Sequence, residues 1–407
     1  MALRDFCLAC KAKNLTKIID LGMHSYADRF ISKENYSKSD PVFPLTCSIC
    51  NNCGIIQNDI VTPPEDRYQS LDYSYTASNS KFSINYWEQY AKEICTKLNN
   101  GSKDCLEIGS NDGTLLEFFK DNGLNVTGVD ASPLMVSLSQ KKGLDAYCGI
   151  FGLKNSNKVS QWENKKYDLI IANNVLNHSD DPLSFCQRVE GLFKDNDSFF
   201  VFEQPYWKDL VEMQSFDQIY HEHVLYFTAK NAINLMELSG LEVFKIEHKN
   251  YHGGSIRVYA SKKGCKSIDK SVDDFVKKES EFLLEKNSTY LKLMNILKNK
   301  KIKTLEKILK ALNDKRPIIC LGAAAKANTL LTYYGLNSSI IDFITDTSPF
   351  KVDKYTPLTR IPIKKDEDIA NLKNPLCLIT SWNLSEQILL KLKQINPTAE
   401  FISAHDI

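Results

Sequence analysis

Residues 216–227, FDQIYHEHVLYF, place two His, two Tyr, one Glu and one Asp within twelve positions. Imidazole and phenol groups transfer protons readily, and an imidazole titrates near neutral pH. His221 and His223 are two positions apart, whereas a zinc-binding pair on a helix needs a spacing of about four. We therefore interpret Tyr220, Glu222 and His223 as proton-transfer groups of this His-Tyr segment, and a metal site here only as the alternative.

A strand, a glycine turn and a helix are predicted upstream, at CLEIGSNDGTLLEFF. The turn departs from the dinucleotide pattern G-x-G-x-x-G, because Asn111 and Asp112 stand where pyrophosphate binding favours bare backbone. Carboxylates there repel phosphate and favour a cationic, phosphate-free cofactor such as S-adenosylmethionine. The predicted cofactor residues of this loop are Glu107, Gly109, Asn111, Asp112 and Gly113.

Asp130 ends the next predicted strand, NVTGVD, where an acid can accept both ribose hydroxyls of a nucleoside. A nicotinamide cofactor would use an acid at the same place, so the preceding loop decides between the two cofactors. A glycine turn that binds no cofactor is the alternative. The predicted cofactor set also includes Ala131, Asn173 and Asn174.

Five of the twelve cysteines lie in the first 53 residues, as Cys7-x-x-Cys10 and CSICNNCG. Two CxxC pairs supply the four thiolates of a closed, structural zinc site. The second pair is either Cys47 and Cys50 or Cys50 and Cys53. We favour Cys50 and Cys53 because Gly54 follows directly, and glycine permits a tight turn. Buried, reduced cysteines are the alternative.

From residue 82 onward, helical and strand patterns alternate, which predicts a mainly parallel, doubly wound sheet. A Lys/Glu-rich helical stretch over 272–315 precedes a second alternating unit that begins at PIICLGAAAK. The predicted fold is α/β, with a zinc-binding module over 1–68, a Rossmann-like class I methyltransferase domain over 69–262 and a Rossmann-like α/β domain over 263–407.

Composition excludes several classes of function. The net charge of +1 provides no overall field to recruit nucleic acid or an acidic membrane. No apolar run approaches the roughly 18 residues of a membrane span. The first residues, MALRDFCLAC, lack the apolar core of a signal peptide. We expect a cytoplasmic protein that binds neither nucleic acid nor a membrane.

In their order along the chain, these motifs resemble those of the nucleotide-sugar C-methyltransferases that act on 4-keto-deoxysugars in bacteria. The likeness spans nearly the whole chain. It rests on the four-cysteine module, D-Y-x-Y at 72–75, E-I-G-x-N-D-G at 107–113, N-N-V-L-N-H at 173–178, S-F-D-Q-I-Y-x-E-H at 215–223, H-G-G-S-I-R at 252–257 and G-A-A-A-K at 322–326.

The resemblance implies a structural zinc domain whose second pair matches Cys50 and Cys53. It implies a middle domain that binds S-adenosylmethionine and a C-terminal domain that helps to hold a nucleotide-linked keto-deoxysugar, with TDP or GDP as the nucleotide. The catalytic groups that it implies are Tyr220, Glu222, His223 and His178, together with Tyr73 or Tyr75.

Methylating carbon requires a carbanion equivalent, and a ketone at C4 of the sugar acidifies the proton at C3. We expect His223 to act as the base, with Glu222 orienting its neighbours. Tyr220 and His178 could donate to the enolate oxygen. The alternatives are a core histidine at position 178, a structural His221 and a Glu222 that only braces its loop.

Substrate contacts are predicted at two further motifs. The first comprises His252, Gly253, Gly254, Ser255 and Arg257, whose backbone amides could approach the sugar phosphates. A simple hairpin turn is the alternative there. The second is Lys326, which could meet a diphosphate or be an ordinary surface lysine.

Three other functions compete with carbon methylation of a sugar. An O- or N-methyltransferase would need a base but no enolate stabiliser. A scaffold protein using the zinc module as an interaction surface would show no turnover, and the concentration of His and Tyr argues against it. A nicotinamide-dependent epimerase is disfavoured by the acidic cofactor loop.

Overall fold

A computed structural model describes residues 3–63, 66–67, 76–78, 80–98, 103–152 and 161–403. The predicted α/β architecture is confirmed: an antiparallel sheet in the zinc module is followed by a seven-stranded and a five-stranded sheet. None of the helices in the described part of the chain combines the length and hydropathy needed to cross a bilayer.

The zinc module is built on an antiparallel sheet. Its strands are β1 (Leu15–His24), β2 (Phe43–Cys50) and β3 (Ile56–Asn58). The fourth strand, β9 (Leu225–Tyr226), comes from the His-Tyr segment and pairs with β3. This pairing ties the proposed catalytic residues directly to the zinc module.

The middle domain contains a seven-stranded sheet in the order β10-β11-β8-β7-β4-β5-β6. Its strands are β4 (Asp104–Ile108), β5 (Asn125–Asp130), β6 (Ala146–Cys148), β7 (Leu169–Ile171), β8 (Phe199–Pro205), β10 (Leu241–Lys249) and β11 (Ser255–Lys262). Strand β11 runs opposite to the other six and pairs antiparallel with β10 and β8, whereas the remaining pairs are parallel. The central strands are apolar on both faces because helices cover both sides of the sheet.

The helices of this domain are α1 (Lys81–Cys95), α2 (Thr114–Asp121), α3 (Pro133–Lys141), α4 (Pro182–Gly191), α5 (Trp207–Glu212), α6 (Ala229–Leu238) and α7 (Ser271–Glu281). Helix α7 lies beyond the predicted boundary at 262, yet it packs on the middle domain. Its Glu279 accepts the backbone amides of Ala229 and Lys230 at the start of α6. This contact satisfies amides that the first turn of a helix leaves open.

The C-terminal domain holds five parallel strands in the order β14-β13-β12-β15-β16. They are β12 (Ile318–Leu321), β13 (Phe343–Thr345), β14 (Ile363–Lys364), β15 (Leu376–Ile379) and β16 (Glu400–Ser403), with helices α8 (Asn287–Asn313), α9 (Ala325–Tyr334) and α10 (Ser385–Ile395). The order reverses direction between β12 and β15, so the loops after these two strands flank a crevice of the kind that binds ligands in such sheets.

The predicted domains share hydrophobic cores. Cys53 and Ile55 of the zinc module belong to the same buried cluster as Leu235 of α6. Leu45 of β2 shares another cluster with Trp207 of the middle domain and Leu330 of α9. Apolar burial across these boundaries fixes how the three parts dock.

Candidate active site and zinc centre

The zinc centre lies between two chain turns. The sulfur atoms of Cys7, Cys10, Cys50 and Cys53 all lie within 4.8 Å of one another. Cys7 and Cys53 are 3.4 Å apart, and Cys10 and Cys50 are 3.6 Å apart. Tetrahedral zinc with Zn–S bonds of about 2.3 Å separates its sulfurs by about 3.8 Å, so the four thiolates fit the ion. The prediction of Cys50 and Cys53 as the second pair is confirmed.

The residues after each CxxC pair have a left-handed backbone. Gly54 has a φ of 75°, as the glycine argument expected. Lys11, after the first pair, has a φ of 60° although it is not a glycine. Its ammonium bonds to the Leu8 carbonyl at 2.9 Å, which offsets part of the cost of this conformation.

The cofactor loop follows β4 and requires glycine at two positions. Gly109 has a φ of 73°, and a Cβ there would overlap the side chain of Val175. Gly113 has a φ of 77° and precedes α2, where a Cβ would overlap Leu144 and Ser139. Both glycines bring the backbone closer to its surroundings than any other residue could.

Three carboxylates surround this loop. Burial raises the pKa of Glu107 well above its usual value, and the charges of Asp112 and Asp130 raise it further. The Oε2 atom of Glu107 is buried and has no hydrogen-bond partner in the described part of the chain. Asp130 accepts the backbone amides of Asn111 and Ser132 at 2.9 and 2.8 Å. A buried acceptor without a donor fits a ligand that brings hydroxyl or ammonium donors.

The remaining predicted cofactor residues lie on the same edge of the sheet. Ala131 follows β5, and Asn173 and Asn174 follow β7. The side-chain oxygen of Asn173 accepts the Tyr90 hydroxyl at 3.1 Å. Asn174 has a φ of 52° and donates its amide to the Glu203 carbonyl at 2.8 Å. All the predicted cofactor residues therefore converge at the carboxyl ends of β4, β5 and β7.

Two histidines and a tyrosine form a ring cluster beside this edge. The ring centroids of His223 and Tyr220 are 3.9 Å apart, and those of His223 and His178 are 5.1 Å apart. The structure brings His178 to Tyr220 and His223, which lie more than forty positions later in the sequence.

The hydrogen bonds of the two histidines fix their tautomers. His223 Nδ1 is 2.9 Å from the Gln218 carbonyl, and His178 Nδ1 is 2.6 Å from the Glu222 carbonyl. Because a carbonyl only accepts, each Nδ1 carries the proton, which leaves Nε2 of His223 with a lone pair. Burial lowers the pKa of His223 well below its usual value and lowers the pKa of His178 to about 4. Both rings are therefore neutral near pH 7.

The side chains of His221 and Glu222 point away from this cluster. His221 lies edge-on to Tyr26 and Phe43 of the zinc module, with ring centroids 6.4 and 5.5 Å away. The Glu222 carboxylate accepts the backbone amides of Ala27 and Asp28. Both residues contact the zinc module.

Residues 252–254, called here the HGG turn, connect β10 to β11. Their φ values are 53°, 86° and 105°. A Cβ on Gly254 would overlap Asp209, and one on Gly253 would overlap Trp382 of the C-terminal domain. The glycines thus have a packing explanation beside the predicted contact with phosphates. Ser255 begins β11, and its hydroxyl donates to the Tyr251 carbonyl at 3.0 Å.

The contacts of Arg257 do not fit the substrate-binding role predicted for it. Its guanidinium donates to Glu203 at 2.9 Å and to Glu93 at 2.7 Å, and lies 3.9 Å from the ring centroid of Tyr90. Two carboxylates balance this charge inside the middle domain, so Arg257 organises the sheet rather than meeting substrate phosphates.

Lys326 is the second residue of α9 and lies at the boundary with the middle domain. Its ammonium donates to the Asn383 side chain and lies 4.5 Å from the ring centroid of Trp382. Burial lowers the pKa of Lys326 to about 8. Burial, with a smaller effect from the charge of Lys326, lowers the pKa of His252 to about 3. The ring of Trp382 lies against both Lys326 and Gly253, so the glycine loop of the C-terminal domain and the HGG turn are neighbours.

Sequence reasoning missed Trp382, Asn383 and Asp217, which meet where the middle and C-terminal domains join. Asp217 belongs to the His-Tyr segment and accepts the Trp382 indole N–H at 2.8 Å. The available signal was the position of Trp382 and Asn383 directly after a buried strand, where ligand-facing loops of parallel sheets begin. Tyr73 and Tyr75 lie outside the described residues.

Three families of known proteins match successive parts of the chain. A family of zinc binding domains matches residues 7–68, a family of methyltransferase domains matches residues 85–246, and a family of C-methyltransferase C-terminal domains matches residues 250–404. The chain therefore belongs to the three-domain C-methyltransferases, enzymes that combine a four-cysteine zinc site with an S-adenosylmethionine-binding fold.

Among individual relatives, the C-methyltransferase NovU of Streptomyces niveus is 25% identical over 389 residues, which cover 95% of this chain and 91% of that protein. An uncharacterized methyltransferase of Schizosaccharomyces pombe, C70.08c, is 31% identical over 114 residues, covering 28% of this chain and 40% of that protein. An S-adenosylmethionine-dependent methyltransferase from Clostridium acetobutylicum superposes with a TM-score of 0.37 and 17% identity, covering 44% of this chain and 92% of that protein. The assignment does not depend on this superposition.

Proposed function

We propose that this enzyme transfers a methyl group from S-adenosylmethionine to C3 of a nucleotide-linked 4-keto-6-deoxy sugar, through an enolate. The observation that carries the proposal is the ring cluster of His223, Tyr220 and His178, in which His223 presents a neutral Nε2. The motif resemblance supports the sugar acceptor, and the overall similarity to a C-methyltransferase supports transfer to carbon.

In the proposed reaction, Nε2 of His223 takes the C3 proton of the sugar, and the electron pair of the broken C–H bond delocalises onto O4. The phenol of Tyr220 donates a hydrogen bond to this developing oxyanion, which lowers the barrier to enolate formation. His178 packs its ring against His223, with 5.1 Å between the ring centroids, and would hold the base in place.

The cofactor supplies an electrophilic methyl group on a sulfonium. Glu107, Asp130 and the backbone of the loop at 109–113 would hold it through its ammonium and ribose hydroxyls. The base and the cofactor loop lie at the same sheet edge, which brings the nucleophilic carbon and the methyl donor into proximity.

The nucleotide end of the substrate would extend toward the C-terminal domain. Lys326 is the cation we assign to its diphosphate, because the ammonium lies over the Trp382 ring at the domain boundary, and that ring packs against Gly253 of the HGG turn. A lysine can neutralise phosphate oxygens as a point charge without a fixed approach geometry.

The test is incubation of the enzyme with S-adenosylmethionine and a panel of TDP- and GDP-linked 4-keto-6-deoxy sugars in deuterated water. Mass spectrometry should show one added methyl for the cognate sugar, and NMR should place it on C3. A methyl on C5, the other carbon adjacent to the ketone, would agree with an enolate mechanism but would refute C3 as the site of methylation. Addition to oxygen or nitrogen would replace the proposal with the O- or N-methyltransferase alternative.

A further inference from the structure

The loop after β15 reaches out of the C-terminal domain and contacts the middle domain. Trp382 begins the short helical turn 382–384 in this loop. Its indole N–H donates to the carboxylate of Asp217 at 2.8 Å, across 165 positions of sequence. Asp217 is buried in the His-Tyr segment, three positions before Tyr220. One indole thus joins the C-terminal domain to the segment that carries the proposed catalytic groups.

The same indole rests on bare backbone in the HGG turn. A Cβ at Gly253 would overlap three carbons of the Trp382 ring. Gly253 also has a φ of 86°, so the turn combines a left-handed conformation with a close approach that only glycine allows. The position of Trp382 therefore explains this glycine without any contact to substrate.

Lys326 also lies over this indole. Its ammonium is 4.5 Å from the Trp382 ring centroid and bonds to the side chain of Asn383. The indole and the neighbouring amide together restrict a side chain that is otherwise flexible. The groups that face Lys326 are the Asp217 carboxylate and the His252 ring, which burial keeps neutral, and both belong to middle-domain segments that the indole also touches.

We propose that Trp382 is a positioning residue. It fixes Lys326 beside the HGG turn and the His-Tyr segment, so that the substrate's diphosphate binds a cation whose position relative to the catalytic histidines is constant. This inference rests on the proposed function, because it assigns the diphosphate of the nucleotide sugar to Lys326. Asp217, Gly253 and Lys326, the partners of the indole described above, lie outside the cofactor loop, so S-adenosylmethionine binding should not depend on Trp382.

The first test compares Trp382→Ala and Trp382→Phe with the wild type on the cognate nucleotide sugar. We expect Trp382→Ala to raise KM for the sugar about tenfold or more, because Lys326 loses the ring that orients it. Trp382→Phe keeps an aromatic face but loses the N–H, so its KM for the sugar should lie between those of the wild type and Trp382→Ala. The Kd for S-adenosylmethionine should be unchanged in both variants. Equal KM values in all three proteins would overturn the proposal.

A matched pair of glycine variants separates the indole contact from backbone strain. Gly253→Ala and Gly264→Ala both place a methyl group on a left-handed residue, with φ values of 86° and 75°. Only the methyl at 253 meets Trp382, whereas nothing lies within 4 Å of a Cβ at 264. We expect Gly253→Ala to raise KM and Gly264→Ala to leave it unchanged.

The double variant Gly253→Ala/Trp382→Ala should be no worse than Trp382→Ala, because the clash disappears with the ring. Additive losses in the double variant would show that the two positions act separately, against the proposal. The alkaline limit of kcat/KM adds a readout that a purely structural role would not move. The pKa of Lys326 is about 8 because the ammonium is buried, so exposing it to water in Trp382→Ala should move that limit to higher pH.

Calorimetry with TDP and GDP alone distinguishes failure of this inference from failure of the proposed function. Weaker nucleotide binding by Trp382→Ala, with Gly264→Ala matching the wild type, supports the inference even if no sugar in the panel is methylated. Nucleotide binding of equal strength in Trp382→Ala and the wild type would refute the inference while leaving carbon methylation intact. If the wild type bound neither nucleotide, the inference would also be refuted.

Discussion

The Glu222 carboxylate accepts the backbone amide of Asp28 at 2.9 Å, and the adjoining amide of Ala27 at 3.2 Å. The carbonyl of Ala27 in turn accepts the side-chain amide of Asn328 in α9 at 2.6 Å. One turn of the zinc module therefore joins the His-Tyr segment to the C-terminal domain. The backbone carbonyl of Glu222 also holds Nδ1 of His178, so Glu222 positions a neighbour of the proposed base.

Glu222→Gln should change how stability depends on pH. Burial raises the pKa of Glu222 from 4.5 to about 7, and this effect outweighs the two amide donors that lower it. The folded protein then binds more protons than the unfolded chain between these pH values, so the contribution of Glu222 to stability falls as pH rises through that window. The fall is about 3 kcal/mol at most.

Urea unfolding of Glu222→Gln and wild type at pH 5 and pH 8 measures this contribution. The variant lacks the titration, so its stability relative to wild type should rise between the two pH values. A stability difference that is the same at both pH values would mean that Glu222 does not titrate in this window.

His223→Asn should lower kcat by about two to four orders of magnitude while leaving the Kd for S-adenosylmethionine unchanged, since it removes a general base and spares the cofactor loop. Exchange of the C3 proton with deuterated water should be lost along with methylation. His221→Asn is the matched control, because that ring faces Tyr26 and Phe43 rather than the ring cluster. The His221→Asn variant should be less stable than the wild type but keep its turnover. If His223→Asn still exchanged the C3 proton, His223 would not be the base.

Cys53→Ser should abolish zinc binding, whereas Cys47→Ser should retain one ion per chain as measured by metal analysis. Cys53 belongs to the cluster of four sulfurs, and Cys47 is a buried cysteine outside it. Loss of zinc should also lower the melting temperature of the whole chain, because Cys53 shares its core with α6. Loss of the ion from Cys47→Ser alone would reverse the ligand assignment.

Asp130→Asn should raise the Kd for S-adenosylmethionine about ten- to a hundredfold, which corresponds to about 1.4 to 2.8 kcal/mol. The carboxylate accepts the amides of Asn111 and Ser132, and an amide side chain would reproduce only one of these acceptors. Asp145→Asn is the control, since its carboxylate bonds to the Thr127 hydroxyl and pairs with Lys165, both at 3.4 Å, outside the cofactor loop. Calorimetry that gave equal affinities for both variants would argue against Asp130 as a cofactor residue.

The sequence by itself determined the features that depend on short spacings. Cys50, Cys53 and Gly54 specified the zinc turn, because ligand geometry and a left-handed residue act over a few positions. The loop at 107–113 and Asp130 specified the cofactor edge for the same reason. Alternating apolar patterns were enough to predict a mainly parallel sheet in the middle domain and a second α/β unit after it, since each strand and helix encodes its own buried face.

Only the tertiary structure decided which way individual side chains point between domains. Glu222 meets the zinc module, Arg257 is neutralised inside the sheet, and Trp382 reaches Asp217. These contacts join residues that are 194, 54 and 165 positions apart. No local periodicity encodes them, because they follow from how the shared cores dock three separately patterned units.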